Sequence, residues 1–202
     1  MRGDRPVVVA LPRGGVAVGR EIADMLDAPL DLVMVRKIGA PGQPELALGA
    51  VADGAETHIV ISDRIAAELG VERPYIEAET ARQRVEIERR RTAYLGDRPP
   101  VPLAGRTVIV VDDGIATGST MRAALHAIRQ AGAAKIVLAV PVAPGDTIEA
   151  LRGEADKIVC LQTPSPFVAV GAHYADFAQL SDAQVVELLA RRRPGAGSRR
   201  ER

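Results

Sequence analysis

Four consecutive β-branched residues, Val108-Ile109-Val110-Val111, are apolar on both alternations. Such a run reads as a strand buried on both faces, the central kind in a parallel sheet. It stops at two adjacent carboxylates, Asp112 and Asp113, and a small-residue loop follows from Gly114 to Thr120. From Met121 to Ala131 the pattern is helical, with Met121, Ala124, Leu125 and Ile128 on one stripe. In open α/β sheets ligands bind at the carboxyl ends of the strands, where this pattern places the acids and the loop. Free backbone N–H groups and a helix N-terminus favour an anion there, and a phosphate fits best. Gly118 permits close backbone approach, and Thr117, Ser119 and Thr120 add hydroxyl donors. The two carboxylates would repel that same phosphate. They should face sugar hydroxyls or Mg²⁺.

The remaining chain repeats the strand–turn–helix rhythm. Pro6 to Leu11 reads as a second buried strand, followed by Pro12-Arg13-Gly14-Gly15 and a helix over Val16 to Leu26. Two glycines beside an arginine can bring amides and a guanidinium onto one anion. A P-loop fits only weakly because Arg20-Glu21 stands where Lys-Ser/Thr is needed, and the dinucleotide fingerprint fails because no G-x-G-x-x-G is present. Pro29 to Val35 predicts a third strand, running into a long Gly/Pro-rich loop, Arg36 to Glu45, that opens with Arg36 and Lys37. Glu45 is a candidate acid/base within it. Leu46 to Val51 and Thr57 to Ile61 predict a hairpin around Asp53-Gly54. Ser62 caps a short helix ended by Gly70, and Pro74 to Leu95 reads as one long helix. Its Glu/Arg mixture, including Arg89-Arg90-Arg91, suggests a solvated face. Gly96 to Gly105 is a connector. Lys135 to Val142 is a strand in which Pro141 suggests an edge or a terminus. Asp146 to Leu151 is a short helix. Lys157 to Leu161 reads as a last core strand in which Cys160 is a small buried hydrophobe. Asp182 to Arg192 is a final helix.

Between them, Gln162 to Gln179 breaks the rhythm and holds Phe167, Tyr174 and Phe177, three of only five aromatics in the chain. They could stack on a planar base. The expected organisation is one domain over residues 1–190, with a core over 6–161, a small hood over 162–181, and a basic, disordered tail over 191–202. Lys plus Arg equals Asp plus Glu, at 26 each, which gives no support to general nucleic-acid binding. One cysteine forbids an intrachain disulfide, and three scattered histidines offer no zinc spacing. No signal peptide and no run of membrane-spanning length are seen, so a cytoplasmic protein is expected.

VIVVDDGIATGST closely resembles the motif with which type I phosphoribosyltransferases bind PRPP (5-phosphoribosyl 1-pyrophosphate). LPRGGVAVG resembles the pyrophosphate loop of the same family, where an unusual peptide often occurs. Arg36 to Glu45 resembles its flexible loop, and Phe167 to Gly171 resembles the hood of 6-oxopurine members, with Asp176 offset by one position. The resemblance implies a three-layer α/β/α fold with a mainly parallel central sheet and a C-terminal hood. It implies transfer of the phosphoribosyl group to a nucleobase-like acceptor, with inversion and release of pyrophosphate. Asp112 and Asp113 would hold the ribose hydroxyls. Ile115, Ala116, Thr117, Gly118, Ser119 and Thr120 would hold the 5′-phosphate. Arg13, Gly14, Gly15, Arg36 and Lys37 would face the pyrophosphate, and Phe167 and Tyr174 the base. Mg²⁺ would bridge pyrophosphate and ribose, met by Asp112 and Asp113 directly or through PRPP or water. A homodimer is implied as well.

Two departures stand out. Ala116 occupies the position where 6-oxopurine enzymes carry an aspartate, so the base is Glu45 or none is needed. Only Met1 to Arg5 precede the first strand where relatives have a helix, so either the start is truncated or the hood comes from the C-terminal segment alone. Two rival readings are a non-catalytic sensor of PRPP or nucleotides with the same fold, and a phosphatase or NTPase using Asp112 and Asp113 as metal ligands.

Overall fold

The computed structural model describes residues 6–53 and 58–191. In chain order its elements are β1 (Val7–Ala10), α1 (Gly15–Leu26), β2 (Leu30–Leu32), β3 (Val35–Ala40), β4 (Gln43–Ala52), β5 (His58–Ile61), α2 (Asp63–Glu68), α3 (Arg73–Leu95), β6 (Thr107–Val111), α4 (Ser119–Gln130), β7 (Lys135–Val142), α5 (Gly145–Leu151), β8 (Lys157–Gln162) and α6 (Asp182–Ala190). A 3₁₀ turn covers Val170–His173.

Five strands form a parallel sheet in the order β2-β1-β6-β7-β8. Alternation along the central strands feeds two cores. Val7, Val9, Val108 and Val110 pack with Met121, Leu125 and Ile128 of α4 on one face. Val8, Ala10 and Val111 pack with residues of α1, α3 and α6 on the other. The result is the three-layer α/β/α arrangement that a doubly covered parallel sheet requires. The termini within it follow local rules. Ser62 accepts a bond from Ile65 N at the start of α2, and Ser181 with Gln184 forms a capping box on α6.

The third strand departs from expectation. It ends at Leu32, and the chain leaves the parallel sheet at Val33-Met34. Asp53 takes both backbone groups of Met34: its carboxylate accepts the Met34 N–H, and its own N–H donates to Met34 O at 2.9 Å. Those bonds redirect Val35 into a second, antiparallel sheet, β3-β4-β5. Arg36 to Glu45 is therefore two strand segments joined by a turn at Pro41-Gly42, where Gly42 has φ +70°, and is not an open loop. The Asp53-Gly54 turn lies partly outside the described residues.

Three further expectations change. Pro141 lies in an interior strand, since β7 pairs with both β6 and β8. It is tolerated because β6 pairing ends at Val111↔Ala139, short of Pro141. The edge on that side is β8, where Val159 and Leu161 are exposed and Ile158 and Cys160 pack inward. Cys160 is thus partly exposed, not core. The arginine run of α3 is not uniformly solvated either. The Arg91 side chain is only 11% exposed and pairs with Asp53 at 2.8 Å and Asp31 at 3.4 Å.

Candidate active site

Strand order fixes where the site lies. From β1 the chain moves outward to β2, whereas β6, β7 and β8 progress the opposite way. The winding reverses between β1 and β6, and loops leaving that pair diverge to open a crevice. β1 leads into Pro12 to Gly15 and β6 into Asp112 to Gly118, joined at their roots by Leu11 N–H donating to Val111 O at 2.9 Å. The Pro12–Arg13 peptide is cis.

The two loops touch through glycine. A Cβ on Gly14 would lie 1.7 Å from Asp113 Oδ2, and one on Gly15 would lie 2.7 Å from Val111 O and 2.9 Å from Asp112 Cα. Gly14 has ordinary helical angles, φ −59° and ψ −44°. Space, rather than a left-handed backbone, is what demands glycine there. Asp113 N–H donates to Asp112 Oδ1 at 2.9 Å. Both acids are partly buried, and neither forms an ion pair among the described residues. Burial pushes the Asp112 carboxyl well above the usual carboxylate range, and the neighbouring Asp113 charge pushes it further. Burial raises Asp113 as well, against the backbone amides that lower it. An uncompensated pair of this kind favours a ligand that donates hydrogen bonds or carries positive charge.

Beyond the acids, Ile115 is buried and its N–H donates to Val142 O at 3.0 Å. Thr147 Oγ1 donates to Ala116 O at 2.9 Å, which steadies the loop from α5. Gly118 takes φ +76° as the residue before α4, and no side chain caps that helix. Its first-turn N–H groups therefore have neither an intrahelical acceptor nor a side-chain cap. Thr117 Oγ1 and Ser119 Oγ lie 3.3 Å apart beside them.

The segment after β8 closes over the acids. The Val170 side chain sits where a Cβ on Gly114 would be, 2.5 Å away, and Tyr174 donates its hydroxyl to Asp113 O. Phe167 stacks on His173 at 5.5 Å, and Tyr174 lies against Phe177 at 5.1 Å. Asp176 accepts the Ala178 N–H and so closes its own turn.

The profile described as "Phosphoribosyl transferase domain" matches residues 1–176. The chain belongs to the type I phosphoribosyltransferase family. Two Mycobacterium tuberculosis proteins, each named "Putative phosphoribosyl transferase", are 45% identical to it over 191 residues, covering 95% of this chain and 43% of theirs. The chain thus spans less than half the length of those curated relatives. The crystal structure of TT1426 from Thermus thermophilus is similar at 44% identity and TM-score 0.80, covering 93% of this chain and 88% of that one.

Against the family's pattern, the cations divide. Arg36 and Lys37 are adjacent in β3, so their side chains leave opposite faces of the hairpin. Arg36 donates to Gln83 of α3 at 2.9 Å. Lys37 instead lines a cavity of about 530 Å³ between the antiparallel sheet and α4, together with Thr117, Ser119 and Thr120. Asp112 and Asp113 do not line that cavity. Arg13, at the β1 loop, lies 3.7 Å from Asp182 at the start of α6. Glu45 belongs to β4, and its side chain lies outside what the structure describes. The structure thus brings Gly14, Gly15, Asp112, Asp113 and Tyr174 together, and sets Lys37 beside Thr117 to Thr120. Arg36 is on neither side. Sequence reading missed Thr147 and Asp182, since nothing in their immediate sequence marks them as neighbours of the loops, and it placed Val170 only within the hood resemblance of Phe167 to Gly171. Among the described residues no helix is long and apolar enough to cross a membrane, and no group of three or more His, Cys, Asp or Glu could hold a metal ion.

Proposed function

We propose that this chain is a PRPP-dependent phosphoribosyltransferase acting on a nucleobase-like acceptor. The observation that carries this reading is the contact between Gly14-Gly15 and Asp112-Asp113 at the point where the sheet reverses its winding. It sets amides and paired carboxylates on one rim, beside a loop whose helix-start N–H groups have no cap. In this reading Asp112 and Asp113 accept hydrogen bonds from the ribose 2′- and 3′-hydroxyls. The 115–120 loop and Lys37 hold the 5′-phosphate end, and Arg13 with the Gly14 and Gly15 amides faces the pyrophosphate.

An acceptor nitrogen bonds to ribose C1 as the C1–O bond to pyrophosphate breaks. The protein's contribution is placement and fixed charge, with no covalent intermediate. Two adjacent carboxylates, both raised by burial and Asp112 further by the Asp113 charge, suit Mg²⁺. As the described residues offer no third ligand, the ion's other partners would be PRPP oxygens and water. It would supply neutralisation of the leaving pyrophosphate. The absence of an acid at Ala116 argues against a 6-oxopurine acceptor. The family resemblance further implies a homodimer working in the cytoplasm.

The test is incubation with PRPP and Mg²⁺ against adenine, hypoxanthine, guanine, uracil and orotate, following pyrophosphate release, beside calorimetric titration of PRPP. Release with one base is expected. Binding with no turnover on any base would favour the PRPP-sensing regulator. No Mg²⁺-dependent PRPP binding by folded protein would sink both readings.

A further inference from the structure

The Asp113–Gly114 peptide unit is held at its carbonyl, which accepts the Tyr174 hydroxyl at 2.5 Å. In a planar trans peptide the N–H points opposite to the C=O, so holding the Asp113 carbonyl fixes the direction of the Gly114 amide. We propose that Tyr174 is a positioning residue: by gripping the Asp113 carbonyl from the C-terminal segment, it fixes the peptide that follows the acid pair and sets the hood and the sugar site as one unit.

The surroundings restrict that peptide from other sides. Asp113 N–H is committed to Asp112 Oδ1. Val170 fills the space over Gly114, with its Cγ atoms 2.5 and 2.9 Å from where a Cβ would stand. The Tyr174 ring has a separate job. It packs on Phe177, which in turn occupies the space over Gly171. Hydroxyl and ring can therefore be removed one at a time. The aromatic that sequence alone suggested for base stacking also holds, at its polar end, the backbone carbonyl of Asp113. A phenol keeps its proton at neutral pH, and here burial and the two nearby acids raise the Tyr174 value further, so the donor is always available.

This inference takes its ligand, though not its geometry, from the proposed function. Tyr174→Phe removes the hydroxyl and keeps the ring. The amide resonances of Asp113 and Gly114 are expected to move in the unliganded variant. Its thermal midpoint should stay near wild type. Its Kd for PRPP with Mg²⁺ should rise about fivefold, with inorganic phosphate binding unchanged. Phe177→Leu, which disturbs ring packing alone, should leave PRPP affinity near wild type. Unmoved Asp113 and Gly114 resonances in Tyr174→Phe would overturn the assignment, as would equal weakening of PRPP and phosphate. A wild-type protein that binds no PRPP would instead defeat the proposed function, and the resonances would still decide the role of Tyr174.

Discussion

Asp31 with Asp53 and Asp112 with Asp113 are two sets of acids held in low-dielectric surroundings, and the chain treats them differently. Asp31 accepts the N–H groups of Leu32 and Val101 and lies 3.4 Å from both Arg91 and Arg98. Asp53 accepts the Met34 N–H and the Arg91 guanidinium. These bonds tie β2, the end of β4, α3 and the connector after it into one joint. Burial still raises the Asp53 carboxyl, with Arg91 and the Met34 amide opposing it. Among the described residues Asp112 and Asp113 have no such cation. Their partners are each other and nearby backbone amides. Burial of an acid is therefore not what distinguishes a site from a structural joint. The distinguishing feature is whether the fold also supplies the counter-charge; at the end of β6 the described residues do not, and in the proposed function a ligand brings it.

The largest expected effect lies in the neutralised set. Arg91→Leu would strand Asp53 without its cation, and about 3–5 kcal/mol of stability should be lost in urea unfolding. A loss well under 1 kcal/mol would mean the joint is not held by charge. Next comes Gly14→Ala. Its helical angles would normally make alanine stabilising by about 0.5–1 kcal/mol. Because the added carbon falls on the Asp113 carboxylate, a destabilisation of about 1–3 kcal/mol and loss of PRPP binding are expected instead. A gain in stability would show that the acid does not rest on this loop.

Asp112→Asn should act in the opposite direction to Arg91→Leu. A carboxyl raised in the folded state contributes fully below its unfolded value of 3.8, and that contribution is lost as pH rises through the raised value. The asparagine variant should therefore gain on wild type as pH climbs from 4 to 7, while PRPP binding falls. A stability difference that is flat with pH would contradict the unpaired state of the acids. The smallest effect separates neighbouring cations. Lys37→Gln should weaken inorganic phosphate binding about threefold at low salt, and the difference should fade at high salt. Arg36→Gln should leave that binding unchanged and cost about 1 kcal/mol or less through the lost bond to Gln83. Equal effects of the two would erase the division of the hairpin into two faces.

Local chemistry alone made much of this legible. Val108 to Val111 is apolar on both alternations, so it had to lie inside a sheet covered on both sides, and the acids that end it had to reach the sheet's rim. Gly118 with its flanking hydroxyls before a helix start marked an anion loop, and Arg13-Gly14-Gly15 marked a second. These readings depend on neighbours within a few residues, where backbone geometry leaves few choices.

Other features depended on partners far away in sequence, and only the tertiary structure decided them. Asp53, claiming both backbone groups of Met34, ended β2 and turned an expected loop into a hairpin. That hairpin's strand alternation then sent Arg36 and Lys37 to opposite faces, which adjacency in sequence concealed. Arg91 looked like one of three surface arginines until two distant aspartates enclosed it. The Tyr174 hydroxyl found a carbonyl 61 positions earlier in the chain. In each case the side chain's identity was plain, but its direction and its partner follow from register and packing. No local propensity encodes either one.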